Sequence, residues 1–295
     1  MPVFNLGSIN IDRVYALPHF PQPGETLSAT QYSFGLGGKG LNQSVAAARA
    51  GADVFHIGAI GRDDSWVRTE IEGHGVDCAF VESLETSTGH AVIYVDAAAE
   101  NSIVLDGGAN QRIDVDAVHK ALSKAASADS LLLQNETNAQ VEAARIAHEK
   151  GMRVLYSAAP FDVESVKAVL PYVTVLLMNK VESEQLCAAF GSNLDQIPVQ
   201  ETLVTLGSKG AVWHSNETGE TIEVSSHKVD PVDTTAAGDT FAGYFAAALN
   251  AGQSVSQAIT NASAAAALKV TRHGAVAGIP TQAEVGAFMA ERSET

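Results

Sequence analysis

Residues 233–241 read DTTAAGDTF, with a carboxylate set directly behind two alanines and a glycine. Phe241, Phe245 and Leu249 recur at i, i+4 and i+8, so a helix is expected whose N-terminus falls near Ala237–Asp239. The first N–H groups of a helix have no partner inside it, and the dipole there favours negative charge. Small side chains at Ala236, Ala237 and Gly238 would let an anion approach those donors closely. The stretch reads as a phosphoryl-binding hole with Asp239 at its rim. A favourable first-turn acid would account for Asp239 alone, but Asp233, Thr234 and Thr235 just upstream add oxygen ligands that a simple cap does not need.

A second cluster, FGLGGKGLNQ at 34–43, offers glycines with polar groups among them. Gly35, Gly37 and Gly40 satisfy G-x-G-x-x-G, yet the run does not close the first strand, and no acidic residue about 20 positions on completes a dinucleotide fingerprint. Nor is it a P-loop: Gly38-Lys39 is followed by Gly40 where Ser or Thr is required, and Ser33 stands where the first glycine belongs. A plain turn into a helix would not explain Lys39 and Asn42, which put polar groups on the loop and first turn of an otherwise alanine-rich helix.

These residues need a scaffold, and the chain is long enough to supply one. It has 295 residues, 46% of them hydrophobic, which fits one large α/β domain or two small ones. Strand candidates at 2–10, 52–61, 131–136, 152–158, 174–179 and 202–207 alternate with helical stretches such as 41–51 and 138–151, the pattern of a parallel sheet wrapped by helices. Residues 88–106 break the series as a hairpin, HAVIYVD and NSIVLD, and the Pro-rich segment after Asn10 reads as irregular strand. Together, approximately 12–34 and 88–107 are expected to form a small β lid on a single domain spanning 1–295. The net charge of −16, from 34 acidic against 18 basic residues, opposes nucleic acid and anionic membranes, so a phosphate ligand must be held by local donors. No apolar run reaches the ~20 residues of a membrane span. With two cysteines, Cys78 and Cys187, and no leader-like N-terminal pattern, a reduced, cytoplasmic setting is expected. The histidines and cysteines lack zinc-ligand spacing.

The two clusters, GGKGLNQSVAAARAGADVFHIGAIGRD and VDTTAAGDTFAGYF, resemble the two signature regions of the ribokinase-like (PfkB) carbohydrate kinases. The resemblance continues through GSINID (7–12), PGET (23–26), STG (87–89), GGAN (107–110), NKVESE (179–184), TLGSKG (205–210) and AAAALKVTRHGA (264–275), and the ribokinase branch is nearest. It implies a three-layer α/β sandwich with a mostly parallel sheet and a β lid. It also implies Asp239 as catalytic base, which orients the nucleophile and takes the proton late, with the amides of Ala236, Ala237 and Gly238 stabilising the transferring group. Asn10, Asp12, Gly38, Lys39, Asn42 and Glu136 would bind the sugar. Asn179, Thr205, Gly207, Ser208, Gly238, Ser263 and His273 would bind ATP. Glu182 would arrange Mg²⁺ through water.

The resemblance further implies K⁺ as activator, held by Asp233 and Thr235 and by carbonyls of Lys269, Arg272 and Gly274, whose side-chain charges would not oppose the ion. Gly278 stands where a hydroxyl often completes that shell. Two departures appear: LYSAAP (155–160) lacks a usual asparagine, a change expected to lie away from the phosphoryl site, and the stretch between Leu186 and Leu203 is short. The expected reaction is ATP-dependent phosphorylation of a primary sugar hydroxyl, D-ribose to ribose 5-phosphate leading. Fructose, ketodeoxygluconate or a nucleoside are the alternative substrates within the family, and a non-catalytic sugar- or nucleotide-binding regulator or an NAD-dependent oxidoreductase the alternatives outside it. Ile93, Tyr94 and Val95 in the hairpin read either as an ordinary sandwich face or as an apolar lid strand that pairs with a second subunit, so a homodimer through the lid is one of two expectations.

Overall fold

The computed structural model describes residues 1–98 and 100–293; of the expected lid and domain, residue 99 and residues 294–295 lie outside the described residues. Its strands are β1 (Val3–Leu6), β2 (Asn10–Ala16), β3 (Gln31–Gly37), β4 (Val54–Gly61), β5 (Val76–Leu84), β6 (Gly89–Val95), β7 (Asn101–Asp106), β8 (Ser130–Leu133), β9 (Arg153–Ser157), β10 (Val175–Asn179), β11 (Glu201–Thr205), β12 (Ala211–Ser215) and β13 (Thr221–Val224). Its helices are α1 (Lys39–Arg49), α2 (Ser65–Gly73), α3 (Val115–Leu122), α4 (Gln140–Glu149), α5 (Val163–Val169), α6 (Lys180–Phe190), α7 (Ala237–Asn250), α8 (Val255–Lys269), α9 (Ala275–Gly278) and α10 (Gln282–Ser293).

The large sheet has the order β13-β12-β11-β10-β9-β8-β1-β4-β5. It is parallel from β11 to β5, with β12 and β13 added antiparallel at one edge. Helices cover both faces, so the central strands are apolar on both sides, as buried parallel strands are. Along β1, Val3 joins the core layer containing α1, α7 and α8, whereas Phe4 and Leu6 join the opposite layer with α3, α4, α5 and α6. Asn5 interrupts this alternation as a fully buried amide on the α1 side.

The single strand expected over 2–10 is divided. β1 ends at Leu6, and the chain crosses to a second, four-stranded sheet of order β3-β2-β6-β7. The division falls where Gly7 and Ser8 pass against Gly40: a Cβ on Gly7 would lie 2.4 Å from the Gly40 Cα, and one on Gly40 would lie 2.3 Å from the Ser8 nitrogen. Leu41 N–H then donates to the Ser8 carbonyl at 2.9 Å and Gly7 N–H to the Ile57 carbonyl at 3.1 Å, which ties the crossing to α1 on one side and to β4 on the other. In the second sheet β2 and β3 are antiparallel, β2 and β6 parallel, and β6 and β7 form the expected hairpin. β5, β12 and β13 were not among the strand candidates. No helix of the described residues is long and apolar enough to cross a membrane.

Gly40→Ala is expected to lower stability by at least about 1–3 kcal/mol through overpacking against backbone. Gly286→Ala, in α10 with nothing within 4 Å of its added methyl group, should leave stability unchanged or slightly raised. Urea unfolding midpoints of the two variants compare them directly.

Candidate active site

The helix after DTTAAGDTF begins where expected: α7 starts at Ala237, with Ala236 before it in the left-handed conformation at φ 58°. An alanine there is strained by about 1–2 kcal/mol, and the turn it makes aims the following amides out of the helix. Thr240 N–H closes the first helical bond onto the Ala236 carbonyl. Ala237 N–H, expected to face an anion, donates to the Thr234 carbonyl at 3.2 Å. The amides of Ala236, Gly238 and Asp239 have no acceptor among the described residues, so the open donors are these three. Asp239 N–H joins them in place of Ala237.

The Asp239 carboxylate is gripped from α1. Asn42 Nδ2 donates to Oδ2 at 3.0 Å and Gln43 Nε2 to Oδ1 at 3.1 Å. Asn42, expected to contact sugar, thus touches the proposed base directly, and its own Oδ1 is buried with no partner among the described residues. Gln43 was not foreseen, because a buried glutamine in an alanine-rich helix gives no spacing signal. Behind Gln43 runs a chain of amides whose orientation each neighbour fixes. Gln134 Nε2 donates to Gln43 Oε1 at 2.8 Å and to Asn5 Oδ1 at 2.9 Å. Asn5 Nδ2 donates to the Gly40 carbonyl at 2.7 Å and to Ser44 Oγ at 2.8 Å. Ser44 Oγ lies 2.8 Å from His56 Nδ1, and His56 Nε2 lies 3.0 Å from the Gly7 carbonyl. Burial pushes the His56 pKa down to about 4, so the ring is neutral, donating from Nε2 and accepting at Nδ1.

Lys39 carries positive charge into this acidic chain. Burial disfavours its ammonium, but Asp239, Glu136 and Glu182 outweigh that and raise its pKa above the ordinary lysine value. Glu136 lies in the turn after β8 and not on the strand; its Oε2 accepts from Ser8 Oγ at 2.5 Å and from Lys39 N–H at 3.0 Å. Asp12, on β2, is pushed up to about 6 by burial and then by the charge of Glu136. Asn10 is buried, and its Oδ1 accepts from Asn110 Nδ2 at 2.8 Å. Asn110, in the GGAN motif, also ties the Ile9 backbone through both its Oδ1 and Nδ2, a role the sequence did not disclose. Gly38, at φ 94°, is the residue before α1.

A cleft of about 260 Å³ brings Lys39, Asn179, Glu182, Thr205, Ala236 and Asp239 together. Ser157 and Ala159 line it too, so the departure LYSAAP lies at this cleft and not away from it. An adjoining cleft of about 430 Å³ is lined by Thr205, Gly207, Ser208, Ser263, Gly238 and others. His273 is exposed and lines neither. Asn179 caps α6: its Oδ1 accepts from Glu182 N–H at 2.9 Å while Glu182 Oε2 accepts from Asn179 N–H at 2.8 Å. Burial raises the Glu182 pKa, and so does Asp239, while the Asn179 N–H and Lys39 pull it down.

The loop before α7 is locked by Asp233, whose Oδ1 accepts from Thr235 N–H at 2.9 Å and Oδ2 from Gly274 N–H at 2.8 Å. Burial opposes its charge, but these bonds and Lys269 win and lower its pKa. The expectation that Lys269 lends only a carbonyl is corrected: its side chain is fully buried, with Nζ 3.1 Å from the Asp233 carbonyl and 3.3 Å from that of Arg272. The Arg272 guanidinium turns away to Glu284 at 2.8 Å.

The model of the pfkB family carbohydrate kinases matches residues 3–282. The chain belongs to that family. This family member is 38% identical over 299 residues to the ribokinase of Haemophilus influenzae, with 96% of this chain and 97% of the relative covered. Its fold matches a Cryptococcus neoformans ribokinase in complex with ADP (TM-score 0.87, 31% identity, 97% and 99% covered). It also matches an Arabidopsis thaliana ribokinase complexed with ribose and ATP (TM-score 0.85, 28% identity, 98% of each chain covered). The ribokinase-like sandwich and its second small sheet are therefore those of the family.

Two expectations follow from the geometry of this kinase-family site. Gln43→Leu should lower kcat by about 10–100-fold, the worth of one hydrogen bond to a charge, while ATP affinity measured by titration stays near normal. Because the folded-state pKa of Asp12 is raised above its unfolded value, Asp12 contributes stability below about pH 4 that is lost as pH rises through about 6. Asp12→Asn should accordingly melt higher than the parent at pH 8, with the gap closing towards pH 4 in a thermal-denaturation series.

Proposed function

We propose that this chain is an ATP-dependent sugar kinase that transfers the γ-phosphoryl group to the 5-hydroxyl of D-ribose. The observation that carries the reading is the carboxylate of Asp239, held by Asn42 and Gln43 on α1 beside the open amides of Ala236, Gly238 and its own backbone. Asp239 orients the hydroxyl and accepts its proton as the bond to phosphorus forms. The open amides meet the charge that spreads over the phosphoryl oxygens, from fixed positions that need no reorganisation. Lys39 stands among Asp239, Glu136 and Glu182 and neutralises charge between the donor and acceptor halves. Asn10, Asp12 and Glu136 offer acceptors for sugar hydroxyls, while the cleft of Gly207, Ser208 and Ser263 takes the nucleoside part of ATP. The named relatives support ribose as acceptor and ATP as donor.

Glu182 fits a Mg²⁺ arrangement: its Oε2 is engaged by the cap, its Oε1 has no partner among the described residues, and it lines the cleft with Asp239. No group of three or more metal-ligating side chains occurs among the described residues. A Mg²⁺ ion would therefore rest on Glu182, water and the phosphates, where it would screen their charge. A K⁺ ion does not fit between the Asp233 and Arg272 carbonyls, because the Lys269 ammonium donates to both.

The second sheet, the proposed lid, exposes Tyr32, Phe34, Ile103, Val104 and Leu105, and this apolar surface supports a homodimer formed through it. Unpaired Cys78 and Cys187 accord with a reducing, cytoplasmic setting.

ADP release with ATP and Mg²⁺ across ribose, deoxyribose, fructose, ketodeoxygluconate, adenosine and pseudouridine tests the reading, with ribose expected to give the highest kcat/KM. A higher value for any other member reassigns the substrate, and no turnover with any sugar would leave a binding protein. Asp239→Asn should reduce turnover by about 10²–10⁴-fold with ATP binding retained. Near-normal turnover in that variant would remove Asp239 from the mechanism.

A further inference from the structure

Lys269 ends α8 with its side chain fully buried, although an ammonium is the group least suited to a dry interior. Its surroundings account for this. The nitrogen meets two backbone carbonyls, of Asp233 and Arg272, which can only accept, and the Asp233 carboxylate adds attraction from the same loop. Gly278 provides the room: a Cβ there would lie 3.0 Å from Lys269 Cε and 3.1 Å from Cδ. The lysine and the glycine are therefore one feature, a long cationic side chain and the space it occupies.

That feature reaches the chemistry in a few residues. The Asp233 carbonyl accepts the ammonium, its carboxylate fixes Thr235 N–H and Gly274 N–H, and the Thr234 carbonyl holds Ala237 N–H at the start of α7. Peptide carbonyls converging on one positive point would repel one another without it, and the turn at Ala236 would lose its support. We propose that Lys269 is a tethered cation, a positioning residue whose ammonium does between the Asp233 and Arg272 carbonyls what a monovalent metal ion would do, and so holds residues 233–236 in the shape that leaves the anion-facing amides open. The enzyme carries its activator in its own chain and does not respond to potassium. This inference rests on the kinase reading for its effect on rate, but not for its effect on stability.

The test compares the full chain in KCl, NaCl and choline chloride at matched ionic strength. For the unmodified protein, ribose-dependent ADP release should agree within about twofold in all three salts, and the melting temperature should be the same in KCl and choline chloride. A several-fold higher rate or a clearly higher melting temperature in KCl overturns the proposal, whatever becomes of the variants. Lys269→Ala leaves the carbonyls facing an open space. It should lose at least about tenfold in kcat in choline chloride, with a smaller change in the KM for ribose. KCl or methylammonium should then restore part of the rate and raise the melting temperature of this variant alone. Lys269→Met, which fills the space without charge, should show neither rescue. If Lys269→Ala turns over equally in all salts at the parental rate, Lys269 has no positioning role. If no sugar is turned over at all, the kinase reading fails while the melting series still decides whether the lysine replaces an ion.

Discussion

The backbone crossing of Gly7 and Ser8 over Gly40 is the constraint from which the site is built. Two chains pass there at a distance that leaves no place for a side chain on either glycine. The crossing ends β1, sends the chain into the second sheet with Asn10 and Asp12 at its start, and seats the beginning of α1 against the end of the large sheet. Lys39, Asn42 and Gln43 are thereby delivered to the same place as the residues of β2. Ligands of α/β sheets lie outside the carboxyl ends of the strands because helices begin there and strands diverge there. Here the divergence is a change of sheet, and the groups assigned to the sugar and the groups that grip Asp239 come from the two sides of one crossing.

The buried amides convert that geometry into a direction. A glutamine or asparagine alone can turn its oxygen and nitrogen either way, but His56 is neutral and donates to Gly7, which makes its other nitrogen an acceptor for Ser44. From there each step admits one arrangement: Asn5 gives both its hydrogens, Gln134 gives both of its own, and Gln43 is left with its nitrogen towards Asp239. The carboxylate is held by donors whose orientation is set several residues away. Coupled amides of this kind fix one another's orientation, with the buried Oε1 of Gln134 left without a partner among the described residues.

Much of this was legible in the sequence, for a physical reason in each case. A parallel sheet declares itself through apolar runs separated by helical periods, and α1 and α7 begin where small residues and glycines precede an alanine-rich stretch. Asp239, Lys39 and Glu182 stand in motifs whose chemistry is local, so they were found. Asn5, Gln43, Gln134 and His56 were not. They are polar residues on elements that read as core, and their purpose exists only once β1, β8 and α1 are packed together. The strand over 2–10 was misread because Ile9 resumes the apolar run straight after Gly7 and Ser8, while the break is imposed by Gly40, more than thirty residues away. The inward turn of Lys269 was equally hidden. Its neighbours in sequence give no reason to bury a lysine; the reason is a glycine nine positions on and two carbonyls from other turns.

The packing of α1 against α7 explains why base and anion hole move as one body. Gly243 lies one turn beyond Asp239, and a Cβ on it would fall 2.4 Å from the Gln43 carbonyl and 2.6 Å from the Ala46 Cβ. The two helices are in backbone contact at that point, which fixes the distance from Gln43 to Asp239 more firmly than longer side chains could. The amides of Gly238 and Asp239 belong to the same first turn, so their separation from the carboxylate is set within a single helix. What remains adjustable is the turn at Ala236 that precedes it. A non-glycine residue in the left-handed conformation persists only where its surroundings over-determine it. Here the surroundings are the Asp233 carboxylate with its two amides and the buried ammonium of Lys269. Rigidity at the base follows from helix packing. Openness of the hole follows from electrostatics in the loop, and the two are joined at Ala237.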